Sequence, residues 1–206
     1  MAHVIRISYK PQYQPRFDYP EEEVTRHRKM ISEAEKSTGQ QIGMGPLTGI
    51  RLDASLAPRT ARQTSDHKKL YDFVPTRYAW LLSRRAMELI ESIDRGIHQF
   101  IPFDLRLKDG FPAPEPRWIF NNCARLDTAI APEHSTAGPV MPDNPNWFFA
   151  FDPGPQKLAV YKDKVAHRAI WSDRRFKRLF VSDLFWNELQ KLGIKEIESE
   201  LPAPEV

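Results

Sequence analysis

The stretch from Tyr78 to Phe103, YAWLLSRRAMELIESIDRGIHQFIPF, sets the tightest limit on how this chain folds. Tyr78 to Leu82 is a short apolar run of strand length. Ser83 stands where a helix N-cap belongs, because its hydroxyl can accept from the first unpaired backbone N–H groups. Ala86, Leu89, Ile90 and Ile93 then recur at the spacing of one helix face. Gly96 occupies the place of a left-handed stop, and Ile97 to Phe103 is a second apolar run. The order is strand, capped helix, strand, a unit that builds a core and does no chemistry by itself.

The same grammar returns near the C-terminus. Arg178 to Val181 reads as a strand and Ser182 as the cap, with Phe185, Leu189 and Leu192 as the helix face. Gly193 is the stop, and Ile194 to Ile197 the expected closing strand. Two copies define no period, so the chain reuses one solution rather than forming a solenoid.

Between and before these units the chain is mixed. Val4, Ile5 and Ile7 predict an opening strand, ended by Pro11 and Pro15. Pro20 followed by Glu21, Glu22 and Glu23 predicts a helix running to about Ser37, with acidic residues at the positive end of its dipole. Gly39 to Gly49 is a flexible connection; Gly43-Met44-Gly45 lacks the residues of a phosphate loop. Arg51 to Lys69 is polar, basic and expected to be irregular. Lys108-Asp109-Gly110 reads as a tight turn, and Trp118 to Phe120 as a strand. Pro132 to Pro145 reads as an exposed loop. Trp147 to Phe151 and Lys157 to Tyr161 are expected to pair as a hairpin across Asp152-Pro153-Gly154, with Val165 to Trp171 as a further strand. The pattern predicts one α+β domain with a largely antiparallel sheet and an N-terminal helical segment. Its expected divisions are an N-terminal part, 1–74, packed on a core of 75–200, and a frayed, proline-rich tail, 201–206.

Composition narrows the function. No apolar run reaches the roughly 20 residues of a membrane helix. MAHVIRISYK carries no signal-peptide pattern, which predicts cytoplasmic residence. Cys123 is the only cysteine, so there is neither a disulfide framework nor a cysteine-based zinc site. A net charge of +3 is too small to mark a nucleic-acid-binding composition. His3, His27, His67, His98, His134 and His167 are scattered without metal-ligand spacing, and Asp104, Asp109, Asp127 and Asp143 are single carboxylates beside turns. His98 reads as a structural hydrogen-bonding residue at a strand start. No catalytic, cofactor or metal residue is assigned, and the chain is read as a non-enzyme. Trp80, Trp118, Trp147, Trp171 and Trp186 have apolar neighbours and read mostly as core, with one of them available to anchor an interface.

One stretch has a functional alternative. In the stretch from Lys157 to Arg178, Lys162, Lys164, Arg168, Arg174, Arg175, Lys177 and Arg178 interleave with Tyr161, Trp171 and Phe176. That is the composition of a stacking surface for single-stranded nucleic acid, and equally of strands with apolar residues inward and basic ones outward. Arg174, Arg175 and Lys177 are its candidate partner contacts.

The Ser83 helix, the run His98-Gln99-Phe100-Ile101-Pro102, the Lys108-Asp109-Gly110 turn, the aromatic strand Arg117 to Asn121 and the late Val181-Ser182-Asp183-Leu184-Phe185 helix start together resemble a family of bacterial immunity proteins of polymorphic toxin systems. The resemblance covers about residues 75–197. It implies a non-enzymatic inhibitor that binds and neutralises a cognate toxin effector domain, delivered by type VI or contact-dependent secretion, and so protects producer and sister cells. It transfers no contact residues. The alternative function is a nucleic-acid-binding regulator using residues 157–178.

Overall fold

In a computed structural model of the chain, residues 1–39, 42, 47–67, 69–139, 149–151, 156–173, 175–176 and 178–206 are described. Strand β1 (Ala2–Ile7) opens the chain. It is followed by β2 (Phe17–Asp18), helix α1 (Glu21–Thr38), β3 (Thr60–Gln63) and β4 (Phe73–Pro75). The organising unit is β5 (Trp80–Leu82), α2 (Arg84–Ile93) and β6 (Gln99–Arg106), with β7 (Arg117–Asn121) after it. Then come β8 (Ala137–Pro139), β9 (Phe149–Phe151), the single-turn α3 (Lys162–Val165) and β10 (Ile170–Asp173). The second unit, β11 (Arg178–Ser182), α4 (Asp183–Lys191) and β12 (Ile197–Ala203), closes the chain.

Both serine caps form. Ser83 has extended backbone, and its Oγ accepts the Ala86 N–H at 3.3 Å; the Ser182 Oγ accepts the Phe185 N–H at 3.2 Å. Gly96 and Gly193 turn the chain at φ +69° and +67°, where a Cβ would be strained. In neither unit do the two flanking strands pair with each other. β5 and β6 both run antiparallel to β7, and β11 and β12 both run antiparallel to β1. Each unit is therefore a split strand–helix–strand motif with a third strand in its gap.

Two main sheets result, in the orders β2-β3-β6-β7-β5-β4 and β10-β11-β1-β12. Only β3 and β6 pair in parallel among the named strands, so the fold is α+β and largely antiparallel. α2 and α4 pack between the sheets: Ala86, Ile90, Phe185 and Leu189 meet Phe73, Leu82 and Phe120 from one sheet and Ile5, Leu179 and Val181 from the other. A second core, under α1, joins Met30 and Ala34 to Leu81, Ile101, Phe103 and Ile119. A third covers the far face of the smaller sheet through Val4, Trp171, Phe180, Leu158 and Val160. Each Leu, Ile or Phe buried this way contributes about 1.5–3 kcal/mol.

The structure corrects the sequence reading in several places. The expected irregular stretch Arg51 to Lys69 contains β3, whose Ala61 and Gln63 are buried while Arg62 is exposed. A further strand that the sequence pattern did not mark, the edge strand β4, lies just before the first unit. β9 pairs with β8 rather than with Lys157 to Tyr161, and the expected turn residues lie outside the described residues. Val160 instead bridges Ile130 and Glu205. The strand expected over Val165 to Trp171 starts at Ile170, because α3 and the left-handed His167 (φ 63°) precede it.

The closing strand begins at Ile197, where Ile194 to Ile197 had been expected. Glu196, just before it, turns its carboxylate to the other sheet and accepts the N–H groups of Asp72 (2.7 Å) and Phe73 (3.0 Å). This satisfies the outer edge of β4 and ties the sheets together. The 201–206 segment differs from the frayed tail expected. Leu201 and Ala203 pair with Val4 and Ala2, and the Val206 N–H donates to the Val160 carbonyl at 2.9 Å. Prolines 202 and 204 are compatible with this because each pairing uses its neighbours' amides. Nor is the start of the chain an addition packed on a finished core, since β1 lies between β11 and β12.

Candidate partner-binding surface

The basic stretch 157–178 folds mostly onto the body of the protein. Trp171 is fully buried and stacks on Phe180, with ring centroids 5.7 Å apart and an interplanar angle of 9°. Phe176 packs partly buried against the same core. The Tyr161 hydroxyl donates to Glu133 at 2.9 Å. A nucleic-acid platform needs bases to reach aromatic faces, and Trp171 and Phe176 have theirs against protein. Of the three candidate contacts, Arg175 closes onto the buried Asp173: its guanidinium lies 3.1 Å from the carboxylate, with 10% of the side chain exposed. Arg174 and Lys177 lie outside the described residues.

His98 has a carboxylate partner that the sequence reading did not identify. Its Nε2 lies 3.0 Å from Asp94 Oδ2, both side chains fully buried. Its Nδ1 is 3.3 Å from the Cys123 backbone N–H and must accept from it, so the proton belongs on Nε2 and the ring donates to Asp94. Asp94 Oδ2 also accepts the Ala169 and Ile170 N–H groups at 2.8 and 2.9 Å. The pair joins the end of α2 to the start of β10. Both ring nitrogens are thus engaged within the protein, and the side chain has no exposed surface. The nearby Cys123 sits in the same polar packing, and burial pushes its thiol pKa up, away from the reactive thiolate. His134 is exposed and 3.9 Å from Glu133. Among the described residues no three His, Cys, Asp or Glu side chains gather to hold a metal, and no helix is long and apolar enough to cross a membrane.

Below this pair, a side-chain network fixes the 48–52 segment to the larger sheet. Gln99 accepts the Leu52 N–H at 2.7 Å and donates to the Leu52 carbonyl at 2.9 Å. Asn121 donates to the Ile50 carbonyl at 2.9 Å and accepts from the Thr48 hydroxyl. Gly49 is held at φ +73°, with the Arg125 side chain 2.7 Å from where a Cβ would be. The segment that leads into β3 is thereby fixed in place.

What remains open is half of one sheet face. On β6, Ile101, Phe103 and Leu105 point into the α1 core, so Phe100, Pro102, Asp104 and Arg106 point the other way. Phe100 is covered by the core between the sheets, whereas Pro102, Asp104 and Arg106 are exposed. Trp118 lies opposite Pro102 in register, half-buried, with the Arg84 guanidinium 5.6 Å from its ring centroid. Beside them runs a groove of about 680 Å³ whose walls include Ala57, Pro58, Arg59, Pro102, Pro116 and Trp118. Arg117 lies between this groove and a second one around Arg84 and Glu88, but is itself 4% exposed. It donates to the Tyr71 carbonyl at 2.5 Å, and burial draws its pKa below the ordinary arginine range.

Sequence reading assigned Trp118 to a strand but not to a face. The signal was present in the alternation Phe100-Ile101-Pro102-Phe103-Asp104-Leu105-Arg106: one side, Ile101, Phe103 and Leu105, is wholly apolar, and the other changes from apolar Phe100 and Pro102 to charged Asp104 and Arg106.

The model of the immunity protein family (Imm11) matches residues 8–200. No curated protein matches the sequence.

Proposed function

Because the chain belongs to the immunity protein family (Imm11), we propose that it binds and neutralises one cognate toxin effector domain, and so protects the producing cell and its sisters. The observation that carries this reading is the family match over residues 8–200, which takes in the whole of the six-stranded sheet and, of the second unit, β11, α4 and the start of β12. The geometry is consistent with an inhibitor: rigid strands present the open face, and the Asp94–His98 pair is closed to substrate. In this reading the protein acts in the cytoplasm, on a toxin of a polymorphic system delivered by type VI or contact-dependent secretion. Inhibition is by covering the toxin's active site or blocking its assembly. Arg174, Arg175 and Lys177 stand as proposed contacts, tested by the double charge reversal R174E/K177E.

The experiment is a pull-down of the tagged full-length chain from its native host, with nuclease added, followed by mass spectrometry. One stoichiometric partner carrying a toxin domain is expected. Nucleic acid in the untreated sample, and no protein partner after nuclease, would favour a nucleic-acid-binding regulator instead.

A further inference from the structure

The open half of the six-stranded sheet carries arginines that have no ion pair among the described residues. Register places Arg62 of β3 beside Arg106 of β6, on the exposed face. Like charges side by side on neighbouring strands are unfavourable. Arg106 is relieved by Asp104, 2.7 Å away. Arg62 has Asp18 as its cross-strand neighbour, without an ion pair, and donates to the Lys108 carbonyl at 2.5 Å. Arg59 and Arg84, on either side of Trp118 and the groove, have no carboxylate within ion-pair distance among the described residues. The nearby Lys108 is paired with Asp66 at 2.6 Å. Arg59, Arg62 and Arg84 are thus without an ion pair among the described residues and lie around an apolar centre of Pro102 and Trp118, with Glu88 and Glu115 beside Arg84 in the second groove.

Such a surface restricts what can cover it. Burying an arginine without a counter-charge is strongly unfavourable, whereas Trp and Arg surrounded by matched partner groups are the residue types that dominate protein interfaces. We infer that this face is the docking surface for the toxin, and that the toxin segment seated on it is acidic, its carboxylates meeting Arg59, Arg62 and Arg84 around an apolar contact on Trp118. This rests on the immunity reading above. It places the main contact on the larger sheet.

The test uses the toxin domain captured by the wild-type chain and measures its affinity for the full-length wild type, R59E/R84E, W118A and R174E/K177E. Circular dichroism and thermal midpoints establish that each variant is folded. Arg59 and Arg84 have exposed side chains, so R59E/R84E reads the surface even if W118A proves unstable. The expected result is a loss on the order of 100-fold for R59E/R84E and on the order of 30-fold for W118A. Wild-type affinity falls as salt rises, and R59E/R84E flattens that dependence. Wild-type affinity in R59E/R84E, or a loss confined to R174E/K177E, overturns the docking surface and leaves the immunity reading standing. Capture of nucleic acid alone, or of no toxin domain, removes the reading and the surface with it.

Discussion

At the scale of single residues, buried polar groups do more to specify this structure than to react. Asp94 accepts from His98 and two backbone amides in a site without solvent. Asp94→Ala leaves three buried donors without an acceptor and is expected to lower unfolding free energy by about 3–5 kcal/mol, read by chemical denaturation. A loss under 1 kcal/mol would mean the donors find other partners. His27 is a second case. It lies on the buried side of α1, its ring tilted against that of Tyr78 with centroids 4.4 Å apart, and burial lowers its pKa from 6.5. A histidine held neutral by the fold binds its proton more readily when unfolded. Its contribution is therefore present above pH 6.5 and declines as pH falls through 6.5 toward the lower folded value. Denaturation curves from about pH 7.5 to 5 should show this decline, and His27→Gln should flatten it. The partner of His98 was hard to read from sequence. Asp94 precedes it by four residues, but the helix ends between them, so only the Gly96 turn makes them meet.

At the scale of elements, the two capping serines give a controlled comparison. Ser182 caps α4 only, whereas Ser83 caps α2 and also donates to Asp72 at 2.6 Å. Ser182→Ala should cost about 1 kcal/mol and Ser83→Ala about 2, measured as shifts in denaturation midpoint. Equal losses would show that the Asp72 bond adds nothing. Deleting residues 201–206 should lower the thermal midpoint, because it removes the partners of Ala2 and Val4. An unchanged midpoint would restore the frayed tail. These elements differ in how clearly the sequence marks them. Capped helices and apolar strands combine local propensity with periodicity, and both were legible. β3, Thr-Ala-Arg-Gln, was not, because its strand state comes from parallel pairing with β6 rather than from its own residues. The same limit applies to β8 and β9, whose partners are set by long-range contact.

At the scale of the molecule, the chain uses one topological solution twice and packs the two helices together between two sheets. The repeated strand, Ser, helix, Gly-Ile order was visible in the sequence; the third strand filling each gap was not, since β1 and β7 carry no mark of their destination. The candidate surface was hidden for a related reason. Trp118 looks like core in one dimension and becomes an open contact only when the sheet leaves half a face uncovered. In the proposed reading the protein acts by presenting a fixed surface, and its specificity depends on what binds there. The most direct measurement is growth of cells producing the captured toxin domain, with and without this chain. The account predicts arrest with the toxin alone and growth when the wild-type chain is co-produced. Arrest in both cases, with the chain present at stoichiometric levels or above, would contradict it.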